Sequence, residues 1–148
     1  MSDSRRQQII DKIKTLLATV TIANGFKTDV GANVFEWKSI AFQDTEIPGI
    51  DVRDPSEEVE ARGSNHIYTL TIEIEAKVSA STTTNEAREV LADIQTLMGN
   101  NLTLDNLVHL VKPVQNELIE FEKTNKKFGS VLIRLEVEYA TKAFQPYS

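Results

Sequence analysis

Two long stretches alternate apolar and polar residues with the period of a β-strand. In the first, over residues 66–80, Tyr68, Leu70, Ile72, Ile74, Ala76 and Val78 share one face. Thr69, Thr71, Glu73, Glu75, Lys77 and Ser79 share the other. In the second, Val131, Ile133, Leu135, Val137 and Tyr139 alternate with Leu132, Arg134, Glu136 and Glu138. Strict alternation of this length predicts antiparallel strands with one buried and one wet face. Two other stretches carry apolar residues at helical spacing. Ile9, Ile10, Ile13, Leu16, Leu17 and Val20 form one stripe, with Ser4 or Asp3 as cap and Asn24-Gly25 as the stop. Ala87, Val90, Leu91, Ile94, Leu97 and Met98 form the other, behind a capping box of Thr83 and Glu86, and 99–101 ends it.

The remaining elements are shorter. Residues 26–33 read as loop and 34–37 as a brief strand. Residues 47–52 make a further strand that Pro48 confines to a strand start or an edge. Asp54-Pro55-Ser56 is expected to break that strand, and acidic 57–65, with Gly63, to be a mobile loop. Residues 81–84 punctuate. Residues 102–111 are open between a short helix and an extended segment, Pro113 closes them, and 114–122 read as strand before a hairpin turn over 124–127. The fold class predicted is α+β: two helices packed on one face of a mostly antiparallel four- or five-stranded sheet. No linker or repeat interrupts residues 1–148, so one domain is expected.

Composition narrows the function. The 148 residues are 41% hydrophobic and 26% charged, as in ordinary globular proteins. Such a chain buries roughly 70% of the surface it exposes when unfolded. No run approaches the ~20 apolar residues of a membrane helix. The amphipathic start is not a signal peptide, so synthesis in the cytoplasm is expected and the sequon at Asn101 should be inert. With no cysteine there is no thiolate chemistry. The formal charge of −6 equals that of residues 44–60 alone, where Asp44, Glu46, Asp51, Asp54, Glu57, Glu58 and Glu60 meet only Arg53. That is no nucleic-acid-binding footprint.

The search for chemistry finds little. The six glycines are scattered, and neither phosphate-loop spacing nor a Gly-x-Ser-x-Gly elbow occurs. The two histidines are His66 and His109. Asp105 stands four before His109, a spacing that suits a surface ion pair, whereas a metal needs three or four ligands. Glu57 and Glu58 lack the apolar wall that would split their pKa values for acid–base work. No catalytic residue, metal site or cofactor is expected. The charged faces of the long strands, Glu73, Glu75, Lys77, Arg134, Glu136 and Glu138, are either solvated or a subunit interface. Cross-strand opposite charges there would set register and specificity.

The ordered pattern resembles the tail terminator proteins of long-tailed bacteriophages, the lambda-type minor tail protein U and its relatives, also called tail completion proteins. The resemblance covers most of the chain. It rests on the opening amphipathic helix, residues 28–35, Ile47-Pro48-Gly49-Ile50-Asp51-Val52 leading into acidic residues, the strand over 68–78, the helix over 84–98, and a last strand ending at 137–141. It implies a non-enzymatic virion protein, a ring with six subunits expected, made in the bacterial host cytoplasm. That ring would sit between the tail-tube protein and the head-completion protein, with DNA passing through unbound. An acidic lumen suits such passage, and 44–60 is the candidate lining, or else a docking loop or a solvated one. Exchanging Glu57, Glu58 and Glu60 for Lys is expected to spare the fold. The alternatives are a neck or head–tail connector, a tail-tube protein, or, in another class, a small-ligand binding domain with a concave apolar pocket.

Overall fold

The computed structural model describes residues 3–79, 83–123 and 126–148, with the side chains of residues 120–128 left aside. Seven main elements follow the predicted order: α1 (Arg5–Leu17), β1 (Val34–Glu36), β2 (Gly49–Arg62), β3 (Asn65–Val78), α2 (Thr84–Gly99), β4 (Leu110–Lys123) and β5 (Lys126–Lys142). The strands form one five-stranded sheet in the order β1-β2-β3-β5-β4. Every pairing is antiparallel except β1 with β2. This is the α+β class predicted. The last strand of the chain inserts between β3 and β4, so α2 carries the chain across β5's position to the sheet edge.

Alternation puts Leu70, Ile72, Ile74 and Ala76 of β3 on the helix side of the sheet. They stand opposite Val137, Leu135, Ile133 and Val131 of β5, and all are buried. Ile50 and Val52 extend that layer onto β2. The helices close it. Ile9, Ile13 and Leu17 of α1 pack over β1 and β2, while Ile94, Leu97 and Met98 of α2 lie over β5. Ser4 caps α1 by accepting the Gln7 N–H at 3.2 Å. Thr83 and Glu86 form the predicted capping box on α2. Among the described residues no helix is long and apolar enough to cross a membrane.

Several expectations are corrected. The helix α1 ends at Leu17, and a separate 3-10 turn, Ile22–Asn24, precedes Gly25 with φ of 92°. Asp54-Pro55-Ser56 does not break β2, nor is 57–62 a loop. Pairing with β3 jumps from Arg53↔Glu73 to Ser56↔Thr71, a bulge with one extra residue on β2, and continues to Arg62↔Asn65. Pro55 sits in the bulge, where no ladder donor is required. Pro113 does not close the segment before it, because β4 already begins at Leu110; a second bulge follows Pro113, between Pro113↔Leu135 and Gln115↔Arg134. Residues 102–107 are turns rather than helix, and Leu104, Asp105 and Asn106 are all left-handed. Asp and Asn tolerate that conformation; Leu104 is held in it with its side chain buried. Lys123 pairs with Lys126, as a tight hairpin requires. Thr124 and Asn125 of the predicted turn, and residues 80–82 of the strand end and the punctuation before α2, lie outside the described residues.

Candidate functional site

The bulge at Pro55 divides the acidic segment. An extra residue reverses which face each later side chain meets. Asp51 and Arg53 lie on the helix-free face, opposite Glu75 and Glu73. After the bulge Glu57 turns to the helix side, opposite Leu70, and Glu58 and Glu60 take the helix-free face. The segment is therefore not one acidic surface.

Asp51 is buried, at 1% exposure. It accepts the Lys38 N–H at 2.9 Å and the Arg53 Nε–H at 2.7 Å. Asp44 and Glu46 belong to a 3-10 turn. There Glu46 accepts the Gln43 N–H at 2.9 Å and pairs with Lys38 at 3.0 Å. The backbone bond first, then the ammonium, holds Glu46 below the ordinary glutamate range. Asp54 and Glu57 anchor α1: Arg6 binds Asp54 Oδ2 at 2.7 Å, the Asp54 carbonyl at 2.7 Å and Glu57 Oε2 at 3.4 Å. Burial opposes the Arg6 charge, but the hydrogen bond and charge of Asp54, then the charge of Glu57, raise its pKa above the usual arginine value. Tyr139 donates its hydroxyl to Glu57. Burial, then that bond and the carboxylate charge, push the phenol well above its usual range. Asp51, Asp54 and Glu57 are thus structural partners; of the seven acids Asp44, Glu58 and Glu60 are solvent-exposed, Asp44 in its 3-10 turn and Glu58 and Glu60 on the helix-free sheet face. The expectation that the Glu57, Glu58 and Glu60 exchange spares the fold assumes three solvated charges, and Glu57 is not one of them.

The helix-free face carries a charge row in register across four strands: Arg53, Glu73, Arg134 and Gln115. Arg134 binds Glu73 at 2.8 Å and Gln115 at 2.6 Å. Lys77 pairs with Glu75 at 3.5 Å, Glu136 faces Lys112, and Glu138 meets His109 at 3.2 Å. All six predicted face residues stand together here, and residues 38–47 lie over the Asp51 end. A pocket of about 410 Å³ lies between that loop and the sheet, lined by Lys38, Phe42, Arg53 and Glu75 among others. The Asp105–His109 pair does not form; Asp105 pairs with Lys12 at 2.5 Å. His66 is buried against Phe144, ring centroids 4.7 Å apart, and accepts the Phe144 N–H at Nδ1. Among the described residues no three His, Cys, Asp or Glu gather to hold a metal.

What pattern reading missed are the apolar side chains at both ends of the sheet. Trp37 is exposed directly after β1, and Leu102, Val114, Leu118 and Ile119 at the β4 end; Ile22, in the turn after α1, and Ile40, in the loop over the pocket, are exposed as well. The consecutive Leu118-Ile119 was the available signal, because a strand with one wet face should not place two apolar residues in succession.

Neither a family model nor a curated protein matches the chain. Among solved structures it is similar to a chain of one described as the virion of a native gene transfer agent particle. That match has 12% identity and a TM-score of 0.39, over 92% of each chain. A likeness of that degree fixes neither family nor function.

Proposed function

We propose that this chain is a structural subunit of a phage-type virion. It assembles as a ring at the head-proximal end of a tail tube, ends tube growth and offers the surface on which head-joining proteins dock. The observation that carries this reading is the pair of open sheet ends. Among the described residues neither β1 nor β4 has a strand on its outer side, and both ends expose large apolar groups. Unlike surfaces at opposite ends of one subunit make head-to-tail contacts, which close into rings when the rotation allows. The resemblance of the element order to tail terminators supports the ring over other assemblies.

The helix-free face supports passage of DNA. Among the described side chains its acids, Asp51, Glu58, Glu60, Glu73, Glu75, Glu117, Glu136 and Glu138, outnumber its bases Arg53, Arg62, Lys77, Lys112, Arg134 and Lys142. Turned to a channel, such a face repels phosphate instead of gaining affinity by counterion release. In this reading the lumen is the sheet face with Glu58, Glu60 and Glu117 among its exposed acids, not a loop over 44–60. A ligand-binding reading has the 410 Å³ pocket in its favour, since small-molecule sites begin near 300 Å³. The charges there are already matched in the pairs Lys38–Glu46, Arg53–Asp51 and Lys77–Glu75. Electron microscopy and native mass spectrometry over a wide concentration range test the proposal. Closed rings are expected. Indefinite tubes from the pure protein would instead identify a tail-tube protein, and monomers at every concentration would defeat the ring.

A further inference from the structure

The two open ends of the sheet differ in shape. At the β4 end, α2 rests on β5 and stops short of covering β4. A mostly apolar groove of about 260 Å³ remains, lined by Ile94, Met98, Leu102, Val111 and Leu135 among others, with Gln95 and Asn116 as its polar side chains and no charged one on its walls. At the β1 end stands a projecting group, Trp37, the chain's one tryptophan. It is 52% exposed, directly after β1 and in the left-handed conformation, φ 48°. Its indole N–H donates to Asp54 Oδ1 at 2.6 Å, and its backbone N–H donates to the Val52 carbonyl at 3.0 Å.

We propose that Trp37 of one copy seats in the α2–β4 groove of the next, joining the β1 end of each subunit to the β4 end of its neighbour. The proposal rests on the ring reading above and names the contact that closes it. Four observations support a second copy as the occupant. First, an uncharged groove accepts a tryptophan only if the indole N–H has a partner, and Asp54 of its own chain already provides one. Second, that bond and the strand hold Trp37 in place before contact, so little side-chain freedom is lost on docking, as at interface hot spots. Third, the strand directions agree. β1 runs with β2, and each later neighbour reverses, so β4 runs opposite to β1. Placing a copy beside the first without inverting it sets its β1 end antiparallel to β4. Fourth, the β4 edge is long: Lys112, Pro113 and the bulge after it guard its start, but Val114, Leu118 and Ile119 lie exposed along it.

The test uses the full chain and three variants: Trp37→Ala, Trp37→Phe and Leu102→Glu. Leu102 is half exposed, so its change leaves the core alone. Folding is checked by circular dichroism, and assembly by native mass spectrometry and the emission of the single tryptophan. Wild-type rings are expected to shift that emission to the blue on assembly. Trp37→Ala and Leu102→Glu should each stay monomeric at concentrations where wild type is fully assembled, and Trp37→Phe should still assemble. Mixed together, Trp37→Ala and Leu102→Glu retain one good groove and one good tryptophan between them. They should form one-to-one dimers and nothing larger. Rings from Trp37→Ala at wild-type yield, or wild-type rings with unshifted emission, would overturn this contact and leave the ring standing. Wild-type monomers throughout would overturn both.

Discussion

Arg6, Asp54, Glu57, Tyr139 and Trp37 come from α1, β2, β5 and the segment after β1, and their bonds tie these parts at one corner of the core. The tie has a pH signature. The Tyr139 pKa is raised in the folded chain above its ordinary value of about 10, so the folded state keeps a proton that the unfolded state gives up. Stability from this source is whole below pH 10 and is lost as pH climbs past it. In denaturant titrations at rising pH, wild type should weaken above about pH 10. Tyr139→Phe should lack that part of the decline while being less stable at neutral pH, by about 1–3 kcal/mol, because its hydroxyl bonds a carboxylate. Glu57→Lys is expected to be worse, by about 2–3 kcal/mol, since it removes the carboxylate that Tyr139 and Arg6 share and sets an ammonium against Arg6, which is partly exposed and keeps Asp54. A thermal midpoint within a few degrees of wild type would show that Glu57 is solvated after all.

At the scale of elements, the sheet's centre is its best-specified part. Ile72 and Ile133 are buried at the middle of β3 and β5. Ile→Ala at either should cost about 2–5 kcal/mol, measured as a shift in the denaturant midpoint. A loss below 1 kcal/mol at both would mean the faces are misassigned. Gly31→Ala should cost about 1–3 kcal/mol or more, because an added Cβ would lie 2.2 Å from the Leu17 carbonyl oxygen where the loop closes on the end of α1. Strands β3 and β5 were legible in the sequence because each alternates one buried with one wet face, and α2 because its stripe begins at a capping box. The far half of β2 was not. It is acidic, holds Pro55 and has no alternation of its own, so its extended form is imposed by pairing with β3. For the same reason the acidic segment read as one surface, whereas the bulge sends Glu57 to one side and Glu58 and Glu60 to the other. The groove beside α2 was illegible too, because it depends on how far a helix reaches across a sheet. Periodicity does not encode that distance.

For the whole molecule, the exposed acids decide how a ring would treat DNA. Glu58 and Glu60 can be reversed without touching the Arg6 corner. Exchanging both for Lys should leave stability within about 0.5 kcal/mol and create salt-dependent DNA binding that wild type lacks, read by electrophoretic shift at several ionic strengths. If the proposed function holds, tails in a complementation assay should form and join heads but eject DNA slowly. Normal ejection would put these residues on an outer rim, and failure to join heads would make them a docking surface.

The strand order has a separate consequence, in time rather than space. β5 lies between β3 and β4 in the sheet but is made after both. Until residue 142 has left the ribosome, β3 shows a bare edge and α2 has no strand to rest on. The pairs that finish the sheet, such as Glu73 with Arg134, are 61 residues apart, so closing it requires ordering a long stretch of chain at once. Contacts this distant slow folding. The nascent protein therefore passes through a stage with the inner edge of β3 unpaired, and a cell making many copies would depend on chaperones for that interval.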